Sequence, residues 1–164
     1  MSGKPTYTTT IRRPESNEEL SRVAELLVRF YRVNEEFDPL YSMTENALEE
    51  AKKLVERYNT DEKSILLVAV EDNQVVGFIH GEVRENPMLS NSPLGVMMEL
   101  YVHPSYRRRG VAAKLVEAAE NELKKIGAKA IAAEFPYLNE IAVSFYDKLG
   151  FRPLTAIYVK ELRE

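Results

Sequence analysis

The sequence predicts a mixed α/β sheet with helices on both of its faces. Two observations support this fold class. Apolar residues alternate or form short runs in some segments, as in strands, and recur about every three to four residues in others, as in helices. These segments follow one another across short gaps, with no repeat and no long linker. The predicted order is βααβββαβαβ, and we expect a single domain spanning residues 1–164.

Two capping signals and a polar turn organise the first half of the chain. Ser16 with Glu19, and Ser42 with Glu45, have the spacing of a capping box, so each pair predicts the start of a helix. The turn Glu71–Gln74 separates two apolar runs and predicts a hairpin. The predicted elements are a strand Tyr7–Arg12, a helix with Leu20, Val23, Ala24, Leu27 and Tyr31 on one stripe, a helix that buries Ala47, Ala51, Leu54, Val55 and Tyr58, and the strands Ile65–Val70 and Val75–Val83.

Glycines mark the ends of two helices in the second half. Gly127 and Gly150 each follow an apolar row with helical spacing, and glycine readily adopts the left-handed conformation that ends a helix. The stretch Glu85–Pro93 holds two prolines among polar residues and is predicted to be a loop. The predicted elements are a buried strand Gly95–Val102, a helix from Val111 to Ile126, a strand Lys129–Ala133, a helix Leu138–Leu149 whose buried row is Ile141, Phe145 and Leu149, and a last strand Phe151–Val159.

Composition excludes several classes of protein. The chain has no cysteine, which rules out disulfides, zinc–cysteine sites, iron–sulfur clusters and a thiol nucleophile. A formal net charge of −4 argues against a nucleic-acid partner. No apolar run approaches the roughly 20 residues that span a bilayer, and the polar stretch Met1–Thr10 lacks the apolar region of a secretory signal. We therefore expect a cytoplasmic protein without a membrane partner.

A basic turn, Arg107–Ala112, joins the buried strand to the next helix. It brings unpaired backbone amides and the positive end of a helix dipole together, which favours phosphate binding. Gly110 has no Cβ, so a ligand can approach the backbone there. The turn has neither the Gly-Lys-Ser/Thr sequence of a nucleotide-hydrolysing P-loop nor the Gly-x-Gly-x-x-Gly pattern of a dinucleotide site. A solvated basic turn that opens an amphipathic helix is the alternative for this motif alone.

The last predicted helix carries a second face. Asn139, Ala142, Val143 and Tyr146 fall at i, i+3, i+4 and i+7, apart from the predicted apolar row. The Tyr146 hydroxyl can therefore reach a ligand lying between this helix and the preceding strands. The alternatives are that Asn139 is a helix N-cap and that Tyr146 is a half-buried packing residue.

Together, these two segments resemble the GNAT superfamily of acetyl-coenzyme A dependent N-acetyltransferases. The first family signature, Gln/Arg-x-x-Gly-x-Gly/Ala, stands here as Arg107–Ala112, with Ala112 where glycine is more usual. The second, an asparagine followed by Phe-Tyr and Lys-Leu-Gly-Phe, stands as Asn139, Phe145-Tyr146 and Lys148–Phe151. The resemblance implies a GNAT fold, a twisted and mostly antiparallel mixed sheet of six to seven strands, over nearly the whole chain.

The resemblance also implies roles for individual residues and acetyl-CoA as cosubstrate, with no metal. The amides of Arg107–Ala112 would hold the coenzyme A pyrophosphate, and Asn139 its pantetheine arm. Strand residues would offer backbone groups to the pantetheine and the acetyl carbonyl, and Tyr146 would donate a proton to the departing thiolate. The implied cofactor-binding residues are Leu100, Tyr101, Val102, Arg107, Arg108, Arg109, Gly110, Val111, Ala112, Asn139 and Tyr146.

The reaction also needs a base, because a free alkyl amine has a pKa of about 10. Glu99 is the first candidate, since a carboxylate in an apolar strand is costly unless it is used or paired. A cross-strand pair with an arginine or lysine is the alternative for Glu99. Glu82 on the preceding strand is the second candidate. We expect His103 to be structural, and His80 is a weaker candidate still.

The acceptor site is expected between the first two helices and the Glu85–Pro93 loop. Glu35, Phe37 and Tyr41 lie in an acidic, aromatic segment that can hold a cationic amine, although a polar loop is the alternative reading. A small amine, a polyamine or a peptide amine would each suit this segment. A homodimer is a further expectation, because dimerisation is common in the resembled family.

Three functional hypotheses remain at this point. The leading one is an N-acetyltransferase. The second is a non-catalytic GNAT-fold module that binds or senses a CoA thioester, which the presence of Tyr146 disfavours. The third is nucleic-acid binding through Arg107, Arg108 and Arg109, which the acidic net charge disfavours.

Overall fold

A computed structural model describes Gly3 and residues 8–163, which form five strands in one sheet and four α-helices. The strands lie side by side in chain order; the first four are antiparallel to their neighbours and the last is parallel to the fourth. The elements are β1 (Thr10–Arg12), α1 (Asn17–Glu35), α2 (Ala47–Thr60), β2 (Ser64–Glu71), β3 (Gln74–Arg84), β4 (Leu94–Val102), α3 (Val111–Lys125), β5 (Ala130–Ala133) and α4 (Glu140–Lys148), with short 3₁₀ helices at Pro39–Tyr41 and Pro104–Tyr106.

Helices cover both faces of the sheet, which confirms the predicted fold class. Side chains alternate between the two faces along each strand, so β2 contributes Leu66 and Val68 to one core and Ile65 and Leu67 to the other. The first core packs under α1 and α2, and the second packs under α3 and includes Tyr146 of α4. None of the helices within residues 8–163 is long and apolar enough to cross a bilayer.

The sheet has five strands in the described part of the chain, so the expectation of six to seven is wrong. The missing element is the strand predicted at Phe151–Val159. Residues 151–163 form no helix or strand, and their apolar side chains after the half-buried Phe151 are exposed. The strand-forming composition of this segment is real, but no neighbouring strand pairs with it, and a strand exists only through pairing. The start of the strand predicted at Tyr7–Arg12 lies outside the described residues, and β1 begins at Thr10.

Half of one of the two predicted capping boxes forms, because the Glu19 carboxylate accepts from the Glu15 amide at 2.7 Å and not from that of Ser16. The Ser16 hydroxyl accepts a hydrogen bond from the Glu19 amide at 3.1 Å and caps α1. The Ser42 hydroxyl instead donates to the Pro39 carbonyl at 2.7 Å, and α2 begins after Asn46 without a side-chain cap. Ser42 therefore ends the 3₁₀ turn Pro39–Tyr41, although its spacing from Glu45 predicted that it would begin a helix.

The buried face of α4 differs from the predicted row, of which only Phe145 packs against the core. Ile141 is 85% exposed and Leu149 is also exposed, whereas Tyr146 is only 7% exposed. Ala142, Phe145 and Tyr146 turn toward the core instead. Both faces of α4 carry apolar residues, so helical periodicity alone gave two solutions and could not choose between them.

We predict that Gly77→Ala destabilises the fold near the end of β4. A Cβ at Gly77 would lie 2.9 Å from the Tyr101 carbonyl oxygen, a backbone atom that cannot move aside without shifting β4. The expected loss is about 1–3 kcal/mol of unfolding free energy, measured by urea denaturation. Gly3→Ala is the matched control, because a Cβ there would meet no atom within 4 Å. Equal urea midpoints for the two variants would contradict the steric argument.

Candidate active site

The sheet opens between β4 and β5. The two strands pair from Leu94 with Ala130 to Met97 with Ala133, and the last bond of this series runs from the Glu134 amide to the Met97 carbonyl at 3.0 Å. Beyond Met97, β4 continues to Val102 paired only with β3 among the described residues. We call the space beside residues 98–102 of β4 the opening.

Leu100 and Val102 direct their backbone groups into the opening. The His103 amide donates to the Val76 carbonyl of β3 at 2.8 Å, and backbone groups alternate sides along an antiparallel strand. Tyr101 therefore also faces β3, while the residues on either side of it face away. The Val102 carbonyl accepts a hydrogen bond from Arg107 Nε at 3.0 Å, which agrees with this direction. The geometry thus favours Leu100 and Val102 as ligand-binding groups and places Tyr101 in the core beneath α1 and α2.

The basic turn after β4 holds an exposed helix N-terminus. Intrahelical bonding in α3 begins with the Lys114 amide donating to the Gly110 carbonyl, so the amides of residues 111–113 have no acceptor within the helix. Gly110 has φ +75°, and Arg108 has φ +64°. A Cβ at Gly110 would meet no atom of the described chain within 4 Å. The positive φ requires glycine here, and the space beside the backbone is open to a ligand.

Two of the three arginine side chains of this turn make contacts within the chain, which the sequence analysis did not predict. Arg107 bonds the Val102 carbonyl and lies over the Tyr101 ring at 5.4 Å. Arg109 forms an ion pair with the buried Glu71 carboxylate at 2.8 Å. Arg108 is exposed. The backbone of the turn, rather than three mobile cations, is therefore its principal anion-binding feature.

Tyr146 lies in an aromatic cluster on the face of the sheet covered by α3. Its ring stacks on Phe135 at 5.2 Å and meets Phe145 and Phe151 edge-on at 5.0 and 5.2 Å. Burial raises the pKa of the Tyr146 hydroxyl well above its ordinary value. The phenol therefore stays protonated near neutral pH and can act as an acid but not as a base.

Asn139 caps α4, which is the structural alternative raised by the sequence. Its Oδ1 accepts a hydrogen bond from the Ala142 amide at 3.1 Å. This bond fixes the side chain and places α4, and with it Tyr146, relative to the strands. The same side chain keeps an amide NH₂ group that can donate to a ligand.

Glu99 is buried on the opposite face of the sheet. It is 4% exposed; its Oε2 bonds His80 Nδ1 at 2.5 Å, and its Oε1 accepts from the Tyr58 hydroxyl at 3.1 Å. His80 sits directly across from Glu99 in the β3–β4 register, and its ring stacks on Tyr58 at 3.4 Å. The carboxylate is thus paired across the sheet, as the structural alternative expected, but with histidine and tyrosine instead of arginine or lysine.

The tyrosines around Glu99 respond to its charge. Burial raises the pKa of Tyr58, and the Glu99 carboxylate raises it further. The same two causes, in the same order, raise the pKa of Tyr31, which Tyr41 also influences. Glu99 therefore influences a tyrosine on each of the two helices that cover this face of the sheet, Tyr31 on α1 and Tyr58 on α2.

The remaining sequence candidates are less central. Glu82 is partly exposed and pairs with Arg84 Nε at 3.0 Å. His103 Nδ1 accepts a hydrogen bond from the Ser105 amide at 3.2 Å, and burial together with nearby arginines lowers its pKa, which fits a structural role. Glu35 Oε1 accepts from the Met43 amide at 2.8 Å, while Phe37 is half-buried and Tyr41 lies exposed at the surface.

The opening joins two chemically different sides of the sheet. Tyr146 offers a proton donor on one side, and Glu99 offers a carboxylate on the other. Sequence reasoning found both but missed Tyr31 and Tyr58 as partners of Glu99. The sequence analysis placed both tyrosines on the apolar sides of their helices and assigned them no polar partner. Because the hydroxyl of a buried tyrosine needs a hydrogen-bond partner, the residue type itself could have indicated one.

Comparison with known proteins identifies the family. The sequence matches the Acetyltransferase (GNAT) family over residues 21–151. The chain belongs to this family. The basic turn Arg107–Ala112 lies inside the matched range, as do β4, β5 and Tyr146.

Two relatives and one structure illustrate the match. An aminoglycoside N(6')-acetyltransferase type 1 from Acinetobacter haemolyticus is 29% identical over 101 residues, 60% of this chain and 66% of that protein. An N-alpha-acetyltransferase from Saccharolobus solfataricus is 31% identical over 98 residues, 55% of this chain and 58% of that protein. The match thus spans less than two thirds of either relative. The aminoglycoside N-acetyltransferase AAC(6')-Iy in complex with CoA shares the fold, with a TM-score of 0.78, 18% identity and 99% of both chains covered.

We predict that the burial of Tyr146 causes the free energy of unfolding to fall as the pH becomes alkaline. A folded-state pKa above the ordinary 10.0 means that the unfolded chain loses this proton first, so unfolding becomes easier as pH rises above that value. Urea denaturation at about pH 9 and about pH 11 should show this loss, and Tyr146→Phe should reduce it. Tyr137→Phe, on an exposed ring, is the control. An unchanged pH dependence in Tyr146→Phe would contradict the prediction.

Proposed function

We propose that this GNAT-family chain is an N-acetyltransferase that transfers the acetyl group of acetyl-CoA to a primary amine by direct attack, with residues 1–164 as one catalytic domain. The observation that carries the proposal is the opening beside β4, which has the phosphate-binding turn at one end, Tyr146 on one face and Glu99 on the other. The acetyltransferase names of the relatives support the same class of reaction.

The chain fits coenzyme A through backbone groups. The amides that open α3 would hold the pyrophosphate, and the open space beside Gly110 would admit it. Leu100 and Val102 would bond the pantetheine and the acyl carbonyl along the unpaired edge of β4, as a further strand would. The amide NH₂ of Asn139 would donate to the pantetheine arm while its Oδ1 caps α4.

Each step of the transfer has a residue suited to it. Acetyl-CoA supplies an activated acyl group and a thiolate leaving group. A β4 amide facing the opening would stabilise the negative charge that develops on the acyl oxygen. Tyr146 would donate its proton to the sulfur as the carbon–sulfur bond breaks, and burial raises the pKa of its phenol, so the proton is present at neutral pH. The proton donor would then recover its own proton from solvent.

Glu99 would receive the proton of the attacking amine. It is buried and already hydrogen-bonded, so the proton would reach it through a water molecule or through the hydroxyl of Tyr31 or Tyr58. His80 would hold the carboxylate in place from the adjacent strand. Because Glu99 and Tyr146 lie on opposite faces, the base and the acid act on the two reactants from opposite sides of the sheet.

The acceptor would enter from the α1–α2 side. The segment with Glu35, Phe37 and Tyr41 connects α1 to α2, the two helices that cover the Glu99 face of the sheet. Its acidic and aromatic side chains suit a cationic amine. One relative is named for aminoglycosides and the other for an α-nitrogen, and aminoglycosides and α-amino groups both present primary amines.

The test is thiol release from acetyl-CoA against a panel of aminoglycosides, polyamines, small amines and peptides. The chain has no cysteine, so a thiol reagent reports released coenzyme A alone. Release that depends on one class of amine would establish the enzyme and its substrate class together. Tight CoA binding without release for any amine would instead favour the non-catalytic CoA-binding module.

Tyr146→Phe should lower kcat on the order of 10²-fold while leaving the affinity for acetyl-CoA nearly unchanged. The change removes only the hydroxyl that protonates the leaving thiolate and keeps the aromatic stacking. Steady-state kinetics and calorimetry measure the two quantities. Tyr137→Phe is the matched control, since that ring is exposed. Equal kcat values for the two variants would end the proton-donor assignment.

Gly110→Ala should weaken CoA binding, whereas Gly127→Ala should not. Both glycines have positive φ at an end of α3, and neither has an atom within 4 Å of an added Cβ, so both variants lose a similar amount of stability, about 1 kcal/mol. Only Gly110 adjoins the proposed pyrophosphate site. Calorimetry should show a loss of roughly tenfold or more in CoA affinity for Gly110→Ala alone. Equal affinities would contradict the assignment of the turn.

Glu99→Gln should lower kcat/KM, because the amide cannot accept the amine proton. The substitution keeps the shape of the side chain and an oxygen for the Tyr58 hydroxyl. Near-ultraviolet circular dichroism would verify that the buried cluster is intact. Glu82→Gln is the comparison. An effect confined to Glu82→Gln would transfer the role of base to Glu82.

A further inference from the structure

Glu71 is a buried carboxylate at the end of β2, immediately before the turn that leads into β3. It is 5% exposed, whereas the turn residues Asp72 and Asn73 that follow it are exposed. A buried charge is costly unless it is paired, and the basic turn supplies the partner: Arg109 Nη1 donates to Glu71 Oε1 at 2.8 Å. The basic turn is therefore tied to a strand end that lies 38 residues earlier in the chain.

Arg109 is held by two contacts within the chain. Its guanidinium lies over the Tyr106 ring, 5.1 Å from the ring centroid, as well as against Glu71. The other carboxylate oxygen of Glu71, Oε2, accepts a hydrogen bond from Thr9 Oγ1 at 3.3 Å, so the carboxylate is fixed from a second side. The Arg109 side chain is thus engaged within the fold, and its effect on a ligand would pass through the backbone to which it belongs.

The backbone around Arg109 has a conformation that needs support from other parts of the chain. Arg108 has φ +64° and Gly110 has φ +75°, so Arg109 lies between two residues in the left-handed region. This region is unfavourable for a residue with a Cβ such as Arg108, and it persists only where surrounding contacts impose it. The amides of residues 111–113, which have no acceptor within α3, follow directly. The contacts of Arg109 therefore contribute to the direction in which these amides point.

We infer that Glu71 is a positioning residue for coenzyme A, which holds Arg109 and thereby fixes the basic turn in the conformation that presents the first amides of α3 to the pyrophosphate. The inference rests on the proposed function, because it concerns the coenzyme A site proposed there. A turn that is already ordered loses less conformational freedom when its ligand binds, so the affinity is higher. Glu71 is itself buried, so it acts through Arg109 and not by touching the ligand.

Charge alone would predict the opposite effect. A carboxylate near a phosphate site repels the phosphate and neutralises a neighbouring arginine, so its removal would strengthen binding. The contacts of Arg109 with both Glu71 and Tyr106 hold its guanidinium in place, which makes the geometric effect the larger one. The sign of the change in CoA affinity therefore separates a carboxylate that positions the turn from one that only repels the ligand.

Calorimetry of CoA binding to four variants tests the inference. Glu71→Ala should weaken CoA binding roughly tenfold, and Glu71→Gln, which keeps an oxygen for Arg109, roughly threefold. Glu71→Ala should raise the KM for acetyl-CoA by a similar factor and leave kcat nearly unchanged. Arg109→Met should weaken binding as Glu71→Ala does, and adding Glu71→Ala to it should cause no further loss, because Glu71 then has no guanidinium to hold. Unchanged or tighter binding in either Glu71 variant, or losses that multiply in the double variant, would overturn the inference.

Glu19→Ala is the matched control. Glu19 accepts from Arg12 at 2.8 Å near the start of α1, so its removal also breaks a carboxylate–arginine pair, but CoA affinity should stay unchanged. Urea denaturation of each variant identifies a purely structural role, in which Glu71→Ala lowers the urea midpoint and leaves CoA affinity as in the natural chain. That result would overturn this inference alone. CoA binding without turnover for any amine would contradict the acetyltransferase proposal alone, and no CoA binding by the natural chain would overturn both.

Discussion

The divergence of β5 from β4 after Met97 is the constraint on which the site depends. A strand in the middle of a sheet loses its neighbour for five residues, and Leu100 and Val102 are left with backbone groups that the fold itself does not pair. Unpaired buried backbone groups are costly, so a strand with such an edge needs another partner. Arg107 satisfies one of these groups, the Val102 carbonyl. The others are available to a ligand that can bond like a strand, and an extended pantetheine chain with two amides is such a ligand.

The cluster around Glu99 ties the helices to this same strand. A buried carboxylate is tolerated only when it is hydrogen-bonded, and here the bonds come from different elements: His80 from β3 and Tyr58 from α2. The stacking of Tyr58 on His80 closes the group into a rigid unit. The position of α2 is therefore fixed against the β4 residue nearest the opening. Glu99, the proposed base, is therefore also a residue that holds α2 against the sheet.

Sequence reasoning succeeded where a local chemical requirement determines the residue. The turn at Gly110 could be predicted because glycine lets a ligand approach the backbone, and the positive φ found there also favours glycine. Glu99 could be singled out because an unpaired carboxylate is costly in an apolar strand. It failed where the deciding partner is distant in sequence. The partners of Glu99 come from α2 and β3, the Ser42 hydroxyl found a carbonyl in a preceding turn, and the arginines of the basic turn found Glu71 and Val102. Helical periodicity could not decide which side of α4 is buried, because both sides carry apolar residues. The structure buries Tyr146 and leaves Ile141 exposed.

Both errors at the C-terminal end have one physical cause. Apolar periodicity reports which residues avoid water, not which chain covers them, so Ile141 on α4 and Ile157 in the tail gave the same signal as core residues. Phe151 connects the exposed C-terminal segment to the proposed proton donor, since its ring contacts Tyr146 and the residues after it extend away from the core. Phe151 therefore holds the aromatic cluster around Tyr146 at its outer end, and the environment that keeps the Tyr146 phenol protonated depends on where the chain turns outward after this ring.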